Sequence, residues 1–263
     1  MAKWFTLLLI LLLVPISFVH AERTPSTMIK FDHISDEALQ MVKLKRYDDA
    51  KTLLKYFSDE YLTEADKEKL FSTNELRIIT VAHREALKAV KNKAISHEEK
   101  INKVTKFRLA IDAISSGEQP LWTEMEEPIM SAFREVKQAA YSGNNINFHE
   151  NLNAFLSLYH MIYPSLKIDV PYEKVQSLDA KVSYIDQYRP MVLTEARSKQ
   201  ELEALGSDLQ SIFDGMTEDE ADPSLWWVII STGSIIILTL SYVGFRKYKG
   251  DRDQKNQRKK LKE

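Results

Sequence analysis

Apolar residues recur along this chain at alternating intervals of three and four. Val104, Phe107, Ile111 and Ile114 keep that spacing, as do Phe148, Leu152, Phe155, Tyr159 and Ile162. Val175, Leu178, Val182 and Ile185 repeat it, and so do Leu202, Leu205, Leu209 and Ile212. With 3.6 residues to a turn, such a stripe is one face of an α-helix, and no stretch sustains the period-two alternation of a strand. Eight helices are predicted: about Asp36–Lys45, Tyr47–Tyr61, Glu64–Lys91, His97–Ser115, Leu121–Tyr141, Asn147–Tyr163, Pro171–Tyr188 and Lys199–Phe213. Ser96 with Glu99 and Ser198 with Glu201 have capping-box spacing, while Gly117, Gly143 and Pro164 stand near expected ends. Pro128 lacks the amide proton of the helical ladder, which predicts a kink or a restart in the fifth helix. Short connections favour antiparallel neighbours, hence an all-α antiparallel multi-helix bundle or a set of helical hairpins.

Both ends depart from this amphipathic grammar. Leu225 to Phe245 is a run of 21 apolar or small residues, about 31 Å long as a helix, and it is expected to be a single transmembrane helix. Trp226 and Trp227 stand at one expected membrane interface and Arg246, Lys247 and Tyr248 at the other. The tail 246–263 has nine Lys/Arg against three Asp/Glu, whereas Asp214 to Asp222 has five acids and no base. That asymmetry predicts a cytoplasmic tail, an acidic juxtamembrane linker at 214–224 and an extracytoplasmic helical domain at 22–213 in the cell membrane. At the other end, Lys3, the apolar Trp4–Val14 and Val19-His20-Ala21 read as a signal peptide over 1–21, cleaved to leave Glu22. An uncleaved anchor is the alternative; the short apolar core and the small residues at the cleavage site favour cleavage.

Composition narrows the chemistry. There is no cysteine, which removes disulfides, thiolate metal sites and cysteine nucleophiles. Residues 22–224 carry a net charge of −9, a poor match to nucleic acid. The histidines never form His-Glu-x-x-His, and the seven glycines are scattered singly, so no zinc-protease motif or phosphate-binding loop is present. His83 shares a face with Leu76, Ile79 and Val90 and reads as a core histidine. Adjacent acids such as Asp48-Asp49 point about 100° apart on a helix. No catalytic, cofactor-binding or metal site is expected, and the chain is not expected to be an enzyme.

Two local patterns bear on contacts. Ala38, Tyr47 and Ala50 resemble one helix-turn-helix unit of a tetratricopeptide-type repeat, but Lys45-Arg46 fills the turn where glycine is usual and no second copy follows. An ordinary αα-hairpin is the simpler expectation. Aromatics concentrate late in the chain, and Tyr163, Tyr172, Tyr184 and Tyr188 form the candidate interaction surface. The small polar patch Ser231-Thr232-Gly233-Ser234 leaves homodimerisation open.

The leader, the cysteine-free helical middle and the ending LWWVIISTGSIIILTLSYVGFRKYKG together resemble the YpjB family of sporulation proteins from endospore-forming bacilli. The resemblance implies a role connected with spore formation and supplies no catalytic residues. The expected function is therefore a membrane-anchored interaction or assembly module whose partners are the lipid bilayer and an envelope protein. The alternative is an extracytoplasmic sensor or modulator of a cell-wall or respiratory enzyme.

Overall fold

The computed structural model describes residues 26–68, 71–116, 119–218 and 223–260. The expected signal peptide and Gly117 lie outside them, as do the side chains of Trp226 and Trp227. Every element among the described residues is helical. The chain divides into two compact units, before and after the Ser115–Ser116 boundary.

The first unit holds α1 (Ser26–Lys43), α2 (Tyr47–Glu68), α3 (Thr73–Lys91) and α4 (His97–Ser115). Each packs on the next, and α1 also packs on α4, which closes the four into a bundle. α1 starts ten residues before the predicted position because Met28, Phe31 and Ile34 extend the buried stripe of Ala38, Leu39 and Val42. α3 starts nine residues later than predicted. Ser72 Oγ accepts from the Glu75 amide at 3.2 Å while Glu75 Oε2 accepts from the Ser72 amide at 2.6 Å, a reciprocal cap that sets the boundary. Ser96 Oγ caps α4 through the Glu99 amide at 3.0 Å, as its spacing predicts.

Phe57 is the hub of this core, with ring centroids 5.0 Å from Phe31, 4.9 Å from Phe107 and 5.2 Å from His83. His83 is buried, its Nε2 2.7 Å from the Leu54 carbonyl, and burial holds its imidazole below the ordinary histidine range. A buried cation lies on α4. Arg108 reaches both carboxylate oxygens of Asp32, at 2.7 and 3.3 Å, and Asp112 at 3.4 Å, while Ser115 Oγ donates to Asp32 at 3.2 Å. Its Nε lies 3.7 Å from Asp36 Oδ1, beyond hydrogen-bond range. A second buried cation, Lys100, donates to the carbonyls of Ala89 and Asn92 and so closes the C-terminal end of α3.

The second unit begins with a 3-10 turn, Leu121–Met125, followed by α5 (Glu126–Ser142), α6 (Asn145–Asp169), α7 (Tyr172–Gln187), α8 (Arg189–Thr194) and α9 (Ala196–Glu218). The turn and α5 are the restart that Pro128 predicts, with that proline in the first helical turn, where its missing N–H is tolerated. Pro164, by contrast, sits inside α6. Buried Ile162, Ser165 and Leu166 anchor the helix on both sides of it, so packing overrides the local break. α5 packs on α6, and α9 packs on α5, α7 and α8. Gly206 faces Phe133 so closely that a Cβ there would lie 3.1 Å from Phe133 Cε1, which explains a glycine inside the α9 stripe. Trp122, fully buried, donates from Nε1 to Asp169 Oδ2 at 2.6 Å and packs 5.5 Å from Phe213.

The expected transmembrane helix is not supported. Residues 225–245 belong to α10 (Pro223–Lys260), but among the described residues no helix is long and apolar enough to cross a membrane. From Ile230 to Phe245, Ser231, Thr232, Gly233, Ser234, Thr239 and Ser241 dilute the apolar positions. Thr239 Oγ1 turns back on its own helix, donating to the Ile235 carbonyl at 2.6 Å. Arg246, Lys247 and Tyr248 lie exposed along the same helix.

Candidate interaction groove

The α7–α9 corner is built by a break in the chain. Tyr188 leaves helical geometry at φ −110° and ψ 35°, and Arg189-Pro190 immediately starts α8, with proline in the first turn. After six residues Glu195 ends α8, its amide donating to the Met191 carbonyl at 2.8 Å, and α9 follows. Three helices succeeding one another so closely leave an open groove of about 540 Å³. α7 lines it with Ala180, Lys181 and Tyr184, the corner with Tyr188, α8 with Met191, the α8–α9 junction with Glu195, and α9 with Arg197 and Glu201. Lys181, Tyr184 and Tyr188 recur at intervals of three and four, so they share a face of α7 beside its buried stripe.

The floor is fixed and the rim is open. Tyr184 and Ser198 share a hydrogen bond between their hydroxyls at 3.0 Å, and Ser198 is fully buried. Ser198 therefore ties α9 to α7 from inside α9 and does not cap that helix as its spacing predicted. The Tyr184 and Tyr188 rings lie 5.1 Å apart, and Tyr188 keeps 46% of its surface exposed. Lys181 is held by Asp208 at 2.6 Å and by Ser177 at 3.0 Å. Below the corner, Arg189 Nε donates to Asp186 Oδ1 at 3.0 Å and its Nη1 lies 3.4 Å from His149 Nδ1, which fixes the entry to α8.

The other two candidate tyrosines do not line the groove. Tyr163 packs 5.6 Å from the buried Tyr159, whose hydroxyl donates to Asp179 at 3.2 Å. Burial, then the Asp179 charge, pushes both phenols above the ordinary tyrosine range. Tyr172, 70% exposed, stands at the first position of α7. Tyr184 and Tyr188 are thus brought together, and Met191, Glu195, Arg197 and Glu201 are groove residues that periodicity did not single out. The Arg189-Pro190 pair was the available signal, since it forces a corner directly after the aromatic face.

Two other carboxylates, Glu203 and Glu85, are tied into ion pairs. Tyr141 donates to Glu203 Oε1 at 2.6 Å and Lys137 donates to Glu203 Oε2 at 2.9 Å; these two contacts, in that order, hold the Glu203 carboxyl below its ordinary range. Burial pushes the Glu85 carboxyl up, but Lys106 and Lys103 outweigh it and leave the group below its ordinary range. No group of three or more His, Asp or Glu among the described residues is arranged to hold a metal ion.

Comparison with known proteins places these features in a lineage. Residues 28–258 match the family described as sporulation protein YpjB (SpoYpjB). The chain is 36% identical over 241 residues to the uncharacterized protein YpjB of Bacillus subtilis (strain 168), covering 90% of each chain. No solved structure matches. Agreement along nearly the whole length, through both helical units and into α10, means that this chain belongs to the YpjB family of sporulation proteins.

Proposed function

We propose that this protein acts during spore formation by binding another polypeptide, without catalysing a reaction, and that the α7–α9 groove is the contact surface. The observation that carries this reading is the half-exposed Tyr188 beside Met191, over a floor held rigid by the Tyr184–Ser198 bond. A rigid aromatic side chain offers a large contact area at small entropic cost, which suits an anchor at a protein interface. The groove's openness suits a polypeptide better than a small ligand, which needs enclosure on most sides. Family membership supports the sporulation context.

A photo-crosslinking residue placed at Tyr188 in sporulating cells tests the proposal. A discrete crosslinked protein, lost in a Tyr188→Ala strain probed from Met191, is the expected result. No crosslinked partner, together with normal sporulation of a deletion strain, refutes it. The leader pattern over 1–21 supports placing the module outside the cytoplasm. Mass spectrometry of the mature chain is expected to find Glu22 first, and an intact Met1–Glu22 segment argues against export.

A further inference from the structure

The two units differ in the sign of their charge. The first, residues 1–115, carries nineteen Lys/Arg against sixteen Asp/Glu, a net of +3, whereas the second, residues 116–263, carries seventeen against twenty-two, a net of −5, its stretch 116–224 alone standing at −11. The groove lies in the acidic unit. Of its charged side chains, Lys181 is already neutralised by Asp208. Glu195, Arg197 and Glu201 make no side-chain hydrogen bond or ion pair among the described residues, which leaves two carboxylates against one guanidinium.

The tyrosines give an independent pointer. Tyr56, Tyr47, Tyr163 and Tyr141 each have a lysine ammonium over the ring, from Lys30, Lys100, Lys167 and Lys199, at 5.1 to 5.7 Å. Among the described residues, Tyr184 and Tyr188 have no such cation, although their rings form the groove's aromatic ledge. An aromatic face attracts a cation through its quadrupole, and nearby carboxylates add to that attraction.

We infer that the groove takes a lysine or arginine side chain from an extended basic segment of a partner protein. The alkyl stem lies against Tyr188 and Met191, and the charged head sits over the tyrosine ledge within reach of Glu195 and Glu201. Arg197 opposes this ligand and limits its affinity. The inference rests on the reading of the groove as a binding surface and adds the chemistry of the occupant.

The test is fluorescence anisotropy of the full chain with three labelled ten-residue Gly/Ser peptides carrying three Lys/Arg, three Asp/Glu or no charge. The basic peptide is expected to bind about tenfold tighter than the others at physiological salt. Its affinity is expected to fall about fivefold or more in Tyr188→Ala and in the Glu195→Gln/Glu201→Gln double variant. Arg197→Gln is expected to tighten it. Preference for the acidic peptide, or weaker basic binding in Arg197→Gln, overturns the inference. Basic binding unchanged by Tyr188→Ala and the double variant is mere adsorption to an acidic surface and overturns it too. A peptide of residues 246–260 from this chain binding well above a scrambled version points to a second copy as occupant, which likewise overturns a foreign partner. Crosslinks from Tyr188 that persist while these charge rules fail leave the proposed function standing without its ligand chemistry; charge rules that hold without crosslinks do the reverse.

Discussion

The hairpins α1–α2 and α5–α6 end their first helices with the same hydrogen-bond geometry but different residues. In the first, the Arg46 amide donates to the Met41 carbonyl at 2.8 Å and the Lys45 amide to Val42 at 2.9 Å. In the second, Asn144 donates to Ala139 at 3.1 Å and Gly143 to Ala140 at 3.4 Å. Both are Schellman caps, which place the residue just past the helix in the left-handed region. Lys45 stands there at φ 61° and Gly143 at φ 68°. The contrast extends to the interiors. The first unit turns its charge inward, gathering Asp32, Asp36 and Asp112 around one buried arginine. The second ties aromatic groups to single carboxylates, Trp122 to Asp169 and Tyr159 to Asp179. One unit gathers several carboxylates around a buried cation, and the other pairs its buried carboxylates with aromatic donors.

Arg108 is where that contrast breaks most severely. Arg108→Leu removes the cation that faces the buried Asp112 and the half-buried Asp32. Removing one partner of a buried ion pair costs about 3–5 kcal/mol, and the partial exposure of Asp32 places this site near the lower end, about 3 kcal/mol. Urea denaturation followed by hydrogen exchange in α1 and α4 measures the loss. Adding Asp32→Asn and Asp112→Asn is expected to restore most of it, because the penalty comes from stranded carboxylates. In the second unit, Trp122→Phe removes one hydrogen bond to Asp169 while keeping an aromatic ring. It is expected to cost about 2 kcal/mol, read as faster exchange in the 3-10 turn and the end of α6.

The stripes made the helical class legible because each requires an apolar face at a 3.6-residue period. His97–Ser115 and the Pro128 restart follow directly from such local signals. Signals failed where packing outranked them. Ser198 has capping spacing but is itself buried and held inside α9 by its hydrogen bond to Tyr184, and Pro164 is carried through α6 by buried neighbours. The apolar run near the C-terminus suggested a span because its small and hydroxyl-bearing residues were counted with the apolar ones, whereas no helix among the described residues is long and apolar enough to cross a membrane. The groove was only half legible: periodicity put Tyr184 and Tyr188 on one face, but Met191, Glu195 and Glu201 join them only because the chain turns twice within eight residues.

His83 offers a pH-dependent way to probe the first unit. Its folded-state pKa is lowered by burial, against which the hydrogen bond to Leu54 acts in the opposite direction. The unfolded chain therefore binds the proton more readily. Its contribution to stability is fully present above the unfolded histidine pKa, about 6.5, and is lost as pH falls below that toward the folded value. The slope cannot exceed that of one proton, about 1.4 kcal/mol per pH unit. Hydrogen exchange in α2 and α3 between pH 7 and 5 is expected to show this loss in the native chain and a flatter profile in His83→Gln. An unchanged profile would show that other groups set the pH dependence.

The two caps provide the smallest and most direct test of the opening comparison. Lys45→Gly removes a side chain from a left-handed residue whose carbonyl and amide geometry is already set by the turn. Relief of the Cβ strain stabilises the fold, while glycine's greater freedom in the unfolded chain offsets part of the gain. The expected net is about 0.5 kcal/mol of stabilisation. Gly143→Ala runs the other way: nothing lies within 4 Å of the added Cβ, so there is no packing clash and the whole effect is backbone strain, about 1 kcal/mol of destabilisation. Opposite signs in paired urea titrations would establish that the two hairpins share one cap and differ only in how well the residue suits it. Equal signs would mean that Lys45 makes a compensating contribution through its side chain, and Lys45→Asn would separate the two, since asparagine tolerates the left-handed backbone without supplying the lysine charge.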